Sequence, residues 1–163
     1  MTPPPSPGRR KLRMLRPQGP PDDTALLIRA TPASIDEATL DIAEDALESA
    51  AVYDVERPGE GRVALYGVSV FARPRGASPV EVLRRFASSP YYLEATARAV
   101  RVAGFEVLPT GANLDHFDVL LLDGRDPDDP LLPLTEVRVA AERLVAVCGD
   151  PRPNPAYPGG SHG

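Results

Sequence analysis

Apolar residues along this chain change spacing several times, and each change marks an element. Ala25 to Ala30 (ALLIRA) is a short apolar run closed by Asp22-Asp23 on one side and Thr31-Pro32 on the other, the pattern of a buried strand. From Ile35 the spacing becomes helical. With residues set about 100° apart, Ile35, Ile42, Ala43, Ala46 and Leu47 share one side, and Ser34 with Glu37 forms a capping box at the start. Arg57 to Gly61 is a loop by composition, and Arg62 to Ala72 then carries β-branched and aromatic residues on both alternating sets, as a central strand covered on both faces requires. Gly67 and Ser69 in that strand leave room for a neighbour or a ligand to approach closely, and the favoured occupant is a helix packed across the strand.

Ser78 and Glu81 form a second expected capping box, with Pro79 at the first helical position, and predict a helix to about Ala87 with Leu83 and Phe86 turned inward. Tyr91 to Ala97 reads as a strand after Pro90, and Arg98 to Ala103 as a short amphipathic turn ending at Gly104. The clearest hairpin follows: Phe105 to Pro109 and His116 to Leu122 are apolar strands joined by the turn-forming stretch Thr110 to Asp115. Beyond a polar, proline-broken connector, residues 134–148 place Val137, Ala140, Ala141, Leu144, Val145 and Cys148 at helical spacing, with Gly149 as the stop. The expected fold class is α+β: a single domain, residues 24–149, with a mostly antiparallel sheet of about five strands packed by three helices. Residues 1–23 read as a disordered, basic, proline-rich tail and residues 150–163 as a flexible Pro/Gly-rich one.

Composition narrows the function classes more than it selects one. Within 163 residues there are 20 prolines, few aromatics and no tryptophan, so little surface is on offer for stacking bases. The single cysteine, Cys148, excludes an internal disulfide, and without a CxxC or Cys/His cluster no metal site and no cofactor is expected. On the apolar stripe of the last helix, Cys148 reads as a core residue. No apolar segment of signal-peptide or membrane-spanning type is visible, so the expected setting is the cytoplasm, away from membranes.

Charge is segregated. Residues 21–60 hold eleven acids and two bases, 61–104 two acids and seven bases, and 105–150 ten acids and three bases, beneath a net charge of −5. In the first block Glu37, Asp41, Glu44, Asp45 and Glu48 line one helix face, a candidate surface for a basic protein partner. In the second, Arg73, Arg75, Arg84, Arg85, Arg98 and Arg101 are the candidate anion-facing set. With the basic tail, they would give nucleic acid a way to bind. The candidate catalytic pair is His116 and Asp118: alternation puts both side chains on one face of a strand, where a carboxylate can hold an imidazole in one tautomer for general-base work. Thr110, Asn113 and Asp115 in the adjoining loop could complete a polar pocket.

Three short motifs carry a resemblance. Tyr66 to Val70 is an aromatic-Gly-x-Ser-Val strand, Gly104-Phe105 leads to Pro109-Thr110 and a following His116, and Asn154 to Tyr157 closes as Asn-Pro-x-aromatic. In these the chain resembles small proteins of high-GC actinobacteria that have no established activity. The resemblance implies one recurring domain and no function. From the residues themselves, the expectation is a non-enzymatic intracellular binding module acting through a protein partner. The alternative is a small nucleic-acid-processing or nucleotide-transferring effector, of the toxin-ribonuclease kind, with His116 as general base.

Overall fold

The computed structural model describes residues 21–32, 34–50, 54–57, 61–73, 77–110, 113–125 and 134–158. The chain runs β1 (Leu26–Thr31), α1 (Ile35–Ala50), β2 (Asp54–Arg57), β3 (Gly61–Arg73), α2 (Val80–Leu83) with a 3-10 turn (Arg84–Phe86), β4 (Tyr91–Thr96), α3 (Ala97–Val102), β5 (Glu106–Pro109), β6 (His116–Arg125), α4 (Leu134–Cys148) and β7 (Arg152–Pro153). All pairings are antiparallel, in the order β5-β6-β3-β1-β4-β7, with β2 joined to β3. The α+β class therefore holds, with more elements than the five strands and three helices expected. β2 and β7 are too short to show a period, and the turn after β4 is a full helix capped by the Thr96 side chain, which accepts from Ala99 N–H.

Alternation divides the sheet into two faces. Leu27, Val68, Val70, Ala95, Val107, Phe117 and Val119 point into a core closed by Ala38, Ile42 and Ala46 of α1, Val100 of α3, and Val137, Ala141 and Leu144 of α4. On the opposite face Ile28 and Tyr92 pack under Val82 and Leu83 of α2, with Phe71 and Phe86 beside them. Gly104 and Gly149, at φ +101° and +76°, take the left-handed turns that end α3 and α4, where a side chain would strain the backbone.

One irregularity organises the middle of the sheet. β2 pairs with β3 over Gly61–Ala64, and β1 pairs with β3 only over Phe71–Arg73, while β6 pairs with the other edge of β3 from Ala64 to Phe71. β1 and β2 thus share one edge of β3. Among the described residues no strand pairs with that edge between Leu65 and Val70, and α1, which links β1 to β2, lies against this stretch of β3.

Two expectations need correction. Ser78 Oγ accepts from Val80 N–H, but Glu81 turns away from the proposed capping box to pair with Arg73, and the helix tightens to 3-10 after Leu83. The C-terminal stretch, expected to be loosely ordered from residue 150, is tied down through Pro158. β7 pairs with β4, and buried Asn154 donates from Nδ2 to the carbonyls of Phe86 (3.1 Å) and Ser89 (2.8 Å). Its Oδ1 accepts from Ala156 N–H at 2.9 Å, and its own N–H donates to Pro90 O. A buried side chain with this many backbone partners fixes the corner between the 3-10 turn and β4. Asn154→Ala takes the side-chain donor from Ser89 O and leaves Phe86 O with only Ser89 N–H, and we expect it to lower stability by about 2 kcal/mol in urea denaturation. A cost below a few tenths would show that the corner stands without it.

Candidate functional site

The face of the sheet away from α1 and α4 carries a buried polar group built from β3, β5 and β6. The register sets Phe71 opposite His116 and Ser69 opposite Asp118, so Ser69, His116 and Asp118 emerge on the same side. Thr110 closes the group at the end of β5, where its N–H bonds His116 O across the hairpin. Thr110 is 1% exposed, Asp118 2% and His116 8%, whereas Ser69 is half-buried.

Hydrogen-bond logic assigns the imidazole tautomer. His116 Nδ1 lies 3.0 Å from Thr110 O and 3.0 Å from Thr110 Oγ1. A carbonyl only accepts, and the Thr110 hydroxyl gives its proton to Asp118 Oδ2, so both neighbours present lone pairs to Nδ1. The proton therefore sits on Nδ1. On that tautomer Nε2 accepts from Ser69 Oγ, 3.0 Å away. The ring is held edge-on to Phe71 at 5.4 Å between centroids, and Phe71 packs on Phe86. Such a chain supplies an oriented base bonded to the hydroxyl of a half-buried serine.

Ser69 is fixed from the other side as well. Where the β1–β3 ladder has ended, Arg29 Nη1 donates to Ser69 O at 2.9 Å and Asp45 Oδ2 accepts from Ser69 N–H at 3.4 Å. The two side chains bind each other at 3.0 Å, and Arg29 Nη2 reaches Asp41 at 3.1 Å. They stand in for a missing strand partner. Gly67 explains its own place in the motif: a Cβ there would come 3.2 Å from Asp118 Cβ. The close neighbour is the Asp118 side chain from β6, and not a helix crossing the strand.

His116 and Asp118 share the expected face, but Thr110 stands between them, and its carbonyl does the tautomer-setting expected of the carboxylate. Asn113 instead accepts from Asp115 N–H, and Asp115 faces Arg73 at 3.9 Å. On α1, Asp41 and Asp45 are engaged by Arg29, and Glu37 accepts from Ser34 N–H in the capping box while remaining exposed. Glu44 is exposed, and the Glu48 side chain lies outside the described residues. The arginine set does not assemble into one anion site. Arg73 pairs with Glu81, Arg101 with Asp23 and with Pro21 O, and Arg85 lies over the Phe71 ring. Arg84 and Arg98 are exposed on separate elements, and Arg75 and the tail to residue 20 lie outside the described residues. Sequence reasoning missed Ser69 and Arg29 as site residues. Their roles exist only once β3 is laid beside β6 and α1.

A second concave feature lies between α1 and α4. It is a groove of about 330 Å³ lined by Ile35, Asp36, Thr39, Arg138, Glu142, Val145, Ala146, Gly149 and Asp150. Ile35 is 46% exposed at its edge. Among the described residues no helix is long and apolar enough to cross a membrane, and no group of acidic, His and Cys side chains is placed to hold a metal ion.

Two measurements follow from this geometry. Gly67→Ala must displace Asp118 by a few tenths of an ångström against its bond to Thr110, and should cost about 1–2 kcal/mol by chemical denaturation. An unchanged midpoint would mean that the contact yields freely. Burial, aided by Glu94, pushes the Cys148 thiol up to about 11. At pH 8 it should therefore alkylate about a hundredfold more slowly than an ordinary thiol of pKa about 8.5. The sign for stability follows: the unfolded chain ionises first, so this contribution is full below about pH 8.5 and is lost as pH rises towards 11. Iodoacetamide rates in native and urea-unfolded protein check both statements.

Comparison with known proteins gives no matching family model, no similar curated protein and no similar solved structure.

Proposed function

We propose that this chain is a protein-binding module that works by contact rather than turnover, and that it takes a basic, partly apolar segment of a protein partner on the α1–α4 side. The observation that carries this reading is the groove between the two helices: its apolar residues Ile35, Val145 and Ala146 are ringed by Asp36, Glu142 and Asp150. Exposed Glu37 and Glu44 extend the acidic character along α1, and Val139 is an exposed apolar residue on α4. Arg138, the cation on the groove wall, lies 3.7 Å from Glu142, so a ligand's arginine or lysine would meet net negative charge. A small apolar floor with a charged rim suits an amphipathic helix or a short extended segment. The reading places the encounter in the cytoplasm. A phosphate-handling role has less support, because Arg73 and Arg101 are already held by carboxylates.

The test is a charge reversal in the groove. Chemical crosslinking in cells followed by purification should recover a partner whose contact segment is basic. Asp36→Lys with Glu142→Lys should weaken its binding by at least tenfold, as should raising salt from about 0.05 to 0.5 M. Binding that is indifferent to the double variant and to salt would place the contact elsewhere.

A further inference from the structure

On the sheet face opposite the proposed docking groove, we propose that Ser69 is a nucleophilic hydroxyl that accepts a short acyl group from an activated ester or thioester, with His116 as general base. The inference rests on the direction of the hydrogen-bond chain. The proton on Nδ1 leaves the Nε2 lone pair on Ser69 Oγ at 3.0 Å, the arrangement that turns a weakly nucleophilic hydroxyl into an attacking one. Thr110 is the positioning residue: its carbonyl fixes the tautomer, and its hydroxyl ties the ring's partner to Asp118.

Three further observations point the same way. The serine is half-buried and the base bonded to its hydroxyl is buried, which limits water at the imidazole. The backbone of Ser69 is gripped on both its N–H and its C=O by Asp45 and Arg29, which fixes the hydroxyl within the sheet. Asp118 Oδ1 is buried without a hydrogen-bond partner among the described residues, which leaves the carboxylate at the end of the chain an open acceptor. We assign a short acyl group because, of the residues two away on the same face, Gly67 is closely approached by Asp118 and Phe71 packs edge-on to His116. Ser69 Oγ attacks the acyl carbon and its proton passes to His116 Nε2. The bond from the acyl carbon to the leaving oxygen or sulfur breaks, and that atom takes the proton from Nε2. The products are an acyl ester on Ser69 and a free alcohol or thiol. Nothing in this step requires release of the acyl group.

The chain favours a clean test, because Lys11 is its single lysine and the Cys148 thiol is held neutral, so background acylation is low. Native protein is treated with p-nitrophenyl acetate at pH 7.5 and mapped by peptide mass spectrometry, beside protein unfolded in urea. The expected result is one acetyl group on Ser69 that forms only in the folded chain. The rate should fall about a hundredfold in His116→Gln and return partly when free imidazole is added to His116→Ala. Absence of Ser69 acetylation in the native protein overturns the proposal. So does acetylation at equal rates in urea, or a rate unchanged in a folded His116 variant. Should both His116 variants fail to fold, the comparison of native and unfolded wild type still decides. Since no groove residue enters the test, its outcome is separate from that of the docking surface.

Discussion

The central sheet depends on a guanidinium placed where a strand is missing. A β-strand edge presents N–H and C=O groups that need partners once buried, and among the described residues no strand pairs with one edge of β3 between Leu65 and Val70. Arg29 and Asp45 answer that need at Ser69 with one donor and one acceptor, and the ion pair between them offsets the cost of taking both charges out of bulk water. Because Asp45 and Asp41 belong to α1, the same contact docks the helix on the sheet. Apolar packing of Ala38, Ile42 and Ala46 could slide by a fraction of a turn, whereas a bridged ion pair fixes the register.

Ser69 is consequently the residue at which the two faces of the sheet are joined. Its main chain is read from the helix side and its hydroxyl from the other, where His116, Thr110 and Asp118 form a chain with a single direction of proton donation. A disturbance of α1 therefore reaches His116 through the backbone of one residue. Gly67, two positions earlier, completes the arrangement by letting Asp118 come close across the strand pair.

Much of this architecture was legible in the sequence. The apolar run of β1, the alternating sets of β3, the capping box at Ser34, the hairpin that became β5 and β6, and the apolar stripe of α4 are local patterns, and local patterns survive folding. Four-residue β2 and two-residue β7 were not legible, since neither shows a period and each exists because a longer partner strand supplies its hydrogen bonds. The second capping box failed for a comparable reason: the Glu81 carboxylate had a closer cation in Arg73, eight residues away in sequence, and a local rule lost to a tertiary contact. His116 and Asp118 were placed on a common face by counting. Ser69 lies 47 residues from His116, and no spacing rule connects them. Likewise, the acidic stripe of α1 is real as a pattern, yet its members at Asp41 and Asp45 turn out to hold the fold together.

Both ends of the main strand order are short and carry proline. β5 has four residues and finishes at Pro109, and β7 has two and finishes at Pro153. Proline offers no N–H to an incoming strand, and so brief an edge gives another chain little to pair with. The sheet is in this way closed to growth at its two ends. A chain of this length with an antiparallel sheet of long-range pairings spends time partly folded, and blunt ends reduce the chance that such intermediates join edge to edge. The prolines that look like interruptions in the sequence thus guard the folding chain against edge-to-edge association.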